Sequence, residues 1–452
     1  MRIIQASITG LFGVFDHVIP FNLDDRITII HAPNGYGKTI VLKMLNGIFN
    51  DRYSELRKIP YKSFQVRFDD DSYLEVLKDD ASPTLGKMSG LVLNLYRLNH
   101  KEKLSLNLKI DRSSGKISPS MIDDFIPGLH QISGEEWIYE PTGESLEIDE
   151  IMERFNNYLP VSRKRNLKAE GWFTELKEKV HVYLIESQRL LSFSENRNEK
   201  RRMSGVPPTP SLTVNSYSKE LVYAIKERLA SYASVSQSLD RSFPTRALKQ
   251  KAYKDLSSEE LLKKLEELER DRNGLIETGL LEHDRDENPQ IPQDEIDESM
   301  RNILSVYVKD VEEKLKVFDD ITGKIDLFRR IINSKFSYKE LIISREKGFV
   351  VRSKYPDEYK SSSGDLSPDS LSSGEQHELV LLYELLFKVK ENSLVLIDEP
   401  ELSLHVGWQI NFLNDLEEIS KLANLDFLIA THSPSIIHGR WDLTVELKGL
   451  PR

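Results

Sequence analysis

The residues best suited to chemistry fall in four short strings. Ala32-Pro-Asn34-Gly35-Tyr36-Gly37-Lys38-Thr39 has the spacing of a phosphate-binding loop, with alanine where the first glycine usually stands. Backbone N–H groups of such a loop aim at phosphate oxygens, and Gly35 and Gly37 let the backbone close around them. Lys38 adds a positive charge at the β and γ oxygens, and the Thr39 hydroxyl can ligate Mg²⁺. A glycine turn with an exposed lysine is the bland reading, disfavoured by the strand before the loop and the helix after it. Leu394-Val-Leu-Ile397-Asp398-Glu399-Pro400 is an apolar strand that ends in two carboxylates. Ligands gather at the carboxyl ends of parallel strands, which brings Asp398 toward the loop to hold Mg²⁺, directly or through water, and leaves Glu399 to polarise an attacking water. By itself the string is also a strand ending in a solvated acidic turn. Leu371-Ser372-Ser373-Gly374-Glu375-Gln376 precedes a helix, where its hydroxyls and glycine either hold an anion or simply cap the helix. Phe427-Leu-Ile-Ala430-Thr431-His432-Ser433-Pro434 is a strand delivering a histidine. A lone histidine after a strand is most often structural, but this one emerges where the other strands end. Glu401 reads as a first-turn charge favoured by the helix dipole rather than a second acid at the γ-phosphate, and His405 and Trp408 as packing for the next helix.

These strings need a scaffold. Residues 2–9 and 27–30 read as β-branched strands, and the loop opens a helix over 38–49. Alternating apolar positions at Phe64/Val66/Phe68, Leu74/Val76, Leu91/Leu93/Leu95 and Leu104/Leu106/Leu108/Ile110 predict four strands with one wet face, the first two paired through Asp69-Asp70-Asp71. Val180 to Ile185 reads as a buried strand. Residues 195–215, with three prolines and few large apolar groups, read as a linker. Ser257 and Glu260 form a capping box ahead of one helical stripe. A second stripe over about 294–333 predicts a helix roughly 60 Å long at ~1.5 Å per residue, unless Gly323 bends it. The break at 283–292 makes the two an antiparallel pair. A hairpin (341–344 and 349–352), a Ser-rich loop (361–373), a helix over 374–390 and a strand–helix–strand run to Ala430 complete the chain.

Composition narrows the classes further. The chain has 452 residues, about three domain-sized units, with a net charge of −11. Zero cysteines exclude a disulfide scaffold, a thiolate zinc site, an iron–sulfur cluster and a cysteine nucleophile, and fit a reducing cytoplasm. No run approaches the ~18 apolar residues of a membrane span, and the N-terminus lacks the unbroken apolar stretch of a signal peptide, so a cytoplasmic protein is expected. Basic residues concentrate only at Arg163-Lys164-Arg165 with Lys168, and at Arg197 with Lys200-Arg201-Arg202. Such runs are usually solvated loops, which makes nucleic-acid contact a secondary reading.

The four strings, in this order, resemble those of ABC-type ATPase heads of the SMC/RecF-like branch, over residues 1 to about 195 and about 340 to 445. That resemblance implies an α/β P-loop NTPase of ABC-head type with an inserted α-helical, short coiled-coil domain. Its boundaries are expected at 1–195 and 339–452 for the head lobes and 196–338 for the insertion. It implies that Asn34, Gly35, Tyr36, Gly37, Lys38 and Thr39 bind ATP, that Glu399 is the catalytic base, and that His432 senses the γ-phosphate. Gln188 falls where the family places a Mg²⁺- and water-binding glutamine beside Thr39 and Asp398. Ser372, Ser373, Gly374 and Glu375 become the signature segment, reaching the nucleotide of a second subunit, so that two heads clamp two nucleotides head to tail. The string Ser-Ser-Gly-Glu-Gln departs from the Ser-Gly-Gly-Gln of transporters, as it does in RecF-like heads. NGYGKT, SSGEQHE and DEPELSLHVGWQ further resemble the ATPases of bacterial anti-phage systems such as Septu, PARIS and retron-associated modules. In those systems the ATPase forms an oligomer that holds a separately encoded nuclease or other effector. The alternative from a different class is an ATPase acting directly on DNA in repair or recombination, against which the acidic total argues. The long insertion disfavours a transporter ATPase.

Overall fold

The computed structural model describes residues 1–79, 90–97, 102–108, 122, 126, 128–134, 136–140, 143–155, 171–185, 190–192, 211–249, 257–282, 298–355 and 365–449. They divide into two compact units: Met1–Thr213 with Ser373–Arg452, and Val214–Ser372.

In the first unit, strands β1 (Ile3–Leu11) and β2 (Phe15–Pro20) pair as a hairpin, and β3 (Ile27–His31) leads through the glycine loop into helix α1 (Lys38–Phe49) and then α2 (Tyr53–Lys58). Strands β4 (Ser63–Phe68), β5 (Tyr73–Asp79), β6 (Gly90–Arg97) and β7 (Glu102–Leu108) complete an antiparallel sheet of order β2-β1-β4-β5-β6-β7. The alternation is realised as expected: Phe64, Val66 and Phe68 are buried, whereas Gln65 and Arg67 are not. The β4–β5 turn is an Asx turn in which Ser72 donates from N and Oγ to Asp70, and Asp71 takes a left-handed φ of 63°.

Strands β8 (Leu129–Ser133), β9 (Glu136–Tyr139) and β10 (Glu144–Glu147) with helix α3 (Ile148–Arg154) form a small layer around buried Trp137, Ile151 and Phe155. Sequence reading does not anticipate it, because four- and five-residue strands with mostly polar outer faces carry little periodic signal. Helix α4 (Gly171–Lys179), β11 (His181–Ile185) and the short β12 (Leu191–Ser192) and β13 (Ser211–Leu212) follow.

The second unit departs most from expectation. Helix α5 (Thr213–Lys249) begins inside the segment read as a linker and continues for 37 residues. The single helix expected over 294–333 is two, α7 (Glu298–Leu315) and α8 (Asp319–Lys335), following α6 (Ser258–Glu277). The break is a 3₁₀ turn at Lys316–Phe318 rather than a bend at Gly323. There Phe318 turns fully inward against the Tyr232 ring of α5, with centroids 5.4 Å apart, and Asp319 and Asp320 open the new helix with charges its dipole favours. Ion pairs mark the directions. Arg228–Asp320, Lys314–Asp240 and Arg246–Asp310 run in opposite senses along α5 and its partners, and Lys264–Glu312 joins the start of α6 to the end of α7. Strands β14 (Lys339–Ser344), β15 (Gly348–Ser353) and β16 (Asp365–Leu366) form a sheet in this same unit.

Back in the first unit, helix α9 (Ser373–Tyr383) runs into a π-helical turn (Glu384–Lys388), then β17 (Ser393–Asp398), α10 (Val406–Gln409), α11 (Phe412–Ala423), β18 (Asp426–Ala430), α12 (Pro434–Ile437) and β19 (Thr444–Glu446). A fully parallel sheet of order β11-β17-β18-β3-β19 results. Its strands are near-continuous Leu, Ile and Val because both faces are covered. Register aligns the carboxyl ends: Asp398 pairs with Ala430, and Ala430 with Ile30. Leu394, Leu396 and Leu428 share one core with Phe64 and Val66, so the parallel and antiparallel sheets are packed as one body. The fold is therefore an α/β P-loop fold with a helical unit inserted in sequence.

Candidate nucleotide-binding site

The aligned strand ends bring three of the four strings to one edge of the parallel sheet. The loop leaves β3 with Gly35 at φ 87° and Gly37 at φ 90°, a region that glycine alone occupies without strain. Gly37 has a second requirement, since a Cβ there would stand 2.7 Å from Leu11 Cδ2. Ala32 is buried just past the end of β3, and its carbonyl accepts a 2.9 Å hydrogen bond from Lys38 Nζ. Lys38 is only 6% exposed, so the loop's own backbone holds its charge in place.

From α1, the next residue reaches across the sheet: Thr39 Oγ1 donates to Asp398 Oδ1 at 3.1 Å, joining positions 359 apart in sequence. Asp398 is held above the usual carboxylate range by burial, with Glu399 adding to the rise, while the Thr39 hydrogen bond and the charges of Lys43 and Lys38 oppose it. Lys38 and Asp398 therefore belong to one electrostatic site. A cavity of about 410 Å³ opens beside Thr39 and Asp398 and is lined also by Lys43, Arg52, Glu55 and Glu153. A hydroxyl and one carboxylate are hard oxygen donors of the kind Mg²⁺ takes when phosphates and waters fill its other positions. No cluster of three or more His, Cys, Asp or Glu ligands exists among the described residues.

Glu399 occupies a left-handed backbone position (φ 44°), stored strain of the kind found at functional sites, and its N–H is tied to Ala430 O at 2.8 Å. His432 lies between two acids, with Nδ1 3.7 Å from Glu399 Oε1 and Nε2 3.8 Å from Glu401 Oε1. Glu401 corrects the sequence reading. It is not merely a charge in a first turn, because its Oε1 accepts from Thr431 Oγ1 at 2.8 Å and His432 N at 3.3 Å, clamping the end of β18. The second Glu in the string Glu399-Pro400-Glu401 was the available signal. His405 does cap α10 by accepting from Gly407 N, and its ring packs on Trp408.

The signature residues belong to another element. Ser373, Gly374 and Glu375 open α9, and Ser372 ends the second unit. Ser372 and Ser373 are exposed, and a Cβ on Gly374 would meet open space. Gln188 lies outside the described residues, as do the basic runs at 163–168 and 197–202 and the break at 283–292.

A strand–loop–helix phosphate loop facing a strand-end aspartate on a parallel sheet defines a P-loop nucleotide-binding fold. Residues 1–437 match the AAA ATPase domain family, and the chain belongs to it. The chain is similar to "Retron Ec83 probable ATPase" of Escherichia coli, 27% identical over 167 residues, a match spanning 32% of this chain and 30% of that protein's length. Among solved structures it is similar to an Smc head domain from Pyrococcus furiosus bound to the C-terminal domain of ScpA (TM-score 0.32, 11% identity, 99% of this chain and 94% of that one). It is also similar to the SMC head domain from Thermotoga maritima (TM-score 0.31, 12% identity, 97% and 91%). Among the described residues no helix is long and apolar enough to cross a membrane.

Proposed function

We propose that this chain is a Mg²⁺-dependent ATPase, converting ATP and water to ADP and phosphate at a site completed by a second copy, and that it scaffolds an anti-phage complex holding a separately encoded effector nuclease. The observation that carries the reading is the 3.1 Å contact between Thr39 and Asp398, which makes one site of the phosphate loop and the strand-end acid. Lys38 moves from the Ala32 carbonyl to the β and γ oxygens, and the loop amides of Asn34 to Gly37, with the N-terminus of α1, bind the same charge. Mg²⁺ supplies neutralisation of phosphate charge, held by Thr39 and Asp398 with Gln188 as the further ligand. Glu399 orients the attacking water and takes its proton, and His432 beside it hydrogen-bonds the γ-phosphate. Ser372, Ser373, Gly374 and Glu375, contributed by a second copy, close the site over the transferring phosphoryl group. Support for that closure is the exposure of both serines, together with exposed Leu402, Val406 and Ile410 immediately beyond Glu399 and Glu401. The defence role rests on the sequence resemblance and on the retron ATPase among the relatives.

Phosphate release from the full chain, with Mg²⁺ or a chelator, tests the chemistry. Lys38→Ala is expected to abolish nucleotide binding, and unaltered ATP affinity would refute the phosphate-loop assignment. Mixing inactive Lys38→Ala and Ser373→Arg chains is expected to restore part of the turnover through one intact composite site; full activity of an isolated monomer refutes completion by a second copy. Phage plaque counts in cells carrying this gene with its genomic neighbour, wild type against Lys38→Ala, test the defence role.

A further inference from the structure

His17 occupies an inward position of β2 and is 2% exposed, where the alternation of the strand calls for an apolar residue. A buried imidazole is costly unless something requires it. Its Nε2 lies 2.9 Å from the backbone carbonyl of Tyr36, in the middle of the phosphate loop. A carbonyl can only accept, so Nε2 carries the proton, and Nδ1 is left bare, buried and without a partner. Burial lowers the His17 pKa and keeps the ring in that neutral form. Packing fixes the ring further. Phe15 stacks on His17 with centroids 5.7 Å apart and on Tyr36 at 5.4 Å, and Leu11 closes on Gly37 from the same hairpin.

The carbonyl of Tyr36 and the N–H of Gly37 belong to one planar trans peptide and point in opposite directions. Flanked by glycine, such a peptide plane is free to flip, and a flip would present a carbonyl oxygen to the phosphates in place of a donor. We infer that His17 is a positioning residue of the phosphate loop: by donating to the Tyr36 carbonyl it fixes the Tyr36–Gly37 peptide so that the Gly37 N–H faces the bound phosphates. This rests on the phosphate-loop reading above. No other role on β2 requires an imidazole, since leucine would fill the same core position without leaving an orphaned nitrogen.

The test is ATP and ADP affinity of the full chain by titration calorimetry, with ligand-free melting as a control. His17→Leu removes the donor and is expected to weaken both nucleotides about tenfold, the loss of one hydrogen bond to an oriented backbone group, with melting unchanged or raised. His17→Gln places an amide nitrogen where Nε2 stands and is expected to bind within about threefold of wild type, the residue of imperfect geometry. His17→Asn, equally polar but one methylene shorter, is expected to bind as weakly as His17→Leu, and it serves in place of His17→Leu if that chain fails to fold. Wild-type affinity in both His17→Leu and His17→Asn overturns the inference, as does a His17→Gln chain no tighter than His17→Asn, which would assign the effect to packing. Failure of the wild-type chain itself to bind ATP overturns the phosphate-loop reading, and the inference with it.

Discussion

Asp398 lies half-buried under the Thr39 hydroxyl, its carboxylate charge opposed by burial and by the neighbouring Glu399. Because its folded pKa is raised, the folded chain binds the proton more readily than the unfolded chain, so this group's contribution to stability falls as pH rises from the ordinary carboxylate range through the folded pKa. Asp398→Asn keeps the acceptor for Thr39 and removes the charge. It is expected to stabilise the ligand-free chain by about 0.5–2 kcal/mol at neutral pH while abolishing hydrolysis, the trade common at functional positions. Ligand-free melting from pH 5 to 8 checks this; an earlier-melting Asp398→Asn chain would refute it. The acid itself was legible in sequence as the end of an apolar strand. His17 was not, and of the Thr431–Glu401 clamp only the second Glu of its string was visible, because the contacts these residues make join segments that no local spacing links.

Elements were legible where periodicity was strong. The alternating strands β4 to β7 and the strand–loop–helix of β3 and α1 follow from apolar spacing, whereas α5 was hidden by its polar content: Val214, Leu221 and Ile225 are its buried apolar positions, too sparse a stripe against Ser, Lys and Glu and an internal Pro244. The split between α7 and α8 coincides with a contact from a distant helix, Phe318 against Tyr232, which no local pattern encodes. Phe318→Ala is therefore expected to destabilise the second unit by about 3–5 kcal/mol, the range for emptying a fully buried phenylalanine site. Urea unfolding reads it, and a loss below about 1 kcal/mol would show that the turn is set by the local sequence instead.

At the scale of the whole molecule, the proposed completion of the site by a second copy would couple nucleotide binding to assembly, and the coupling would be reciprocal. Glu399→Gln is expected to slow turnover ~10²–10⁴-fold while retaining ATP, and so to accumulate the ATP-bound oligomer. Light scattering with and without ATP checks it; a mass that ignores nucleotide would remove the linkage. Direct action on DNA would instead announce itself as a steeply salt-dependent DNA affinity. By itself the amino-acid sequence determined the chemistry available: which side chains can hold a phosphate, a metal and a water, and which strand or helix each must end or begin, because those depend on residue type and short spacing. That Thr39 and Asp398 meet, that Glu401 grips Thr431, and that His17 of a neighbouring hairpin bonds the Tyr36 carbonyl becomes visible once the chain is folded. Those are encounters between segments far apart in the chain, set by strand order and register, and short-range periodicity carries no record of them.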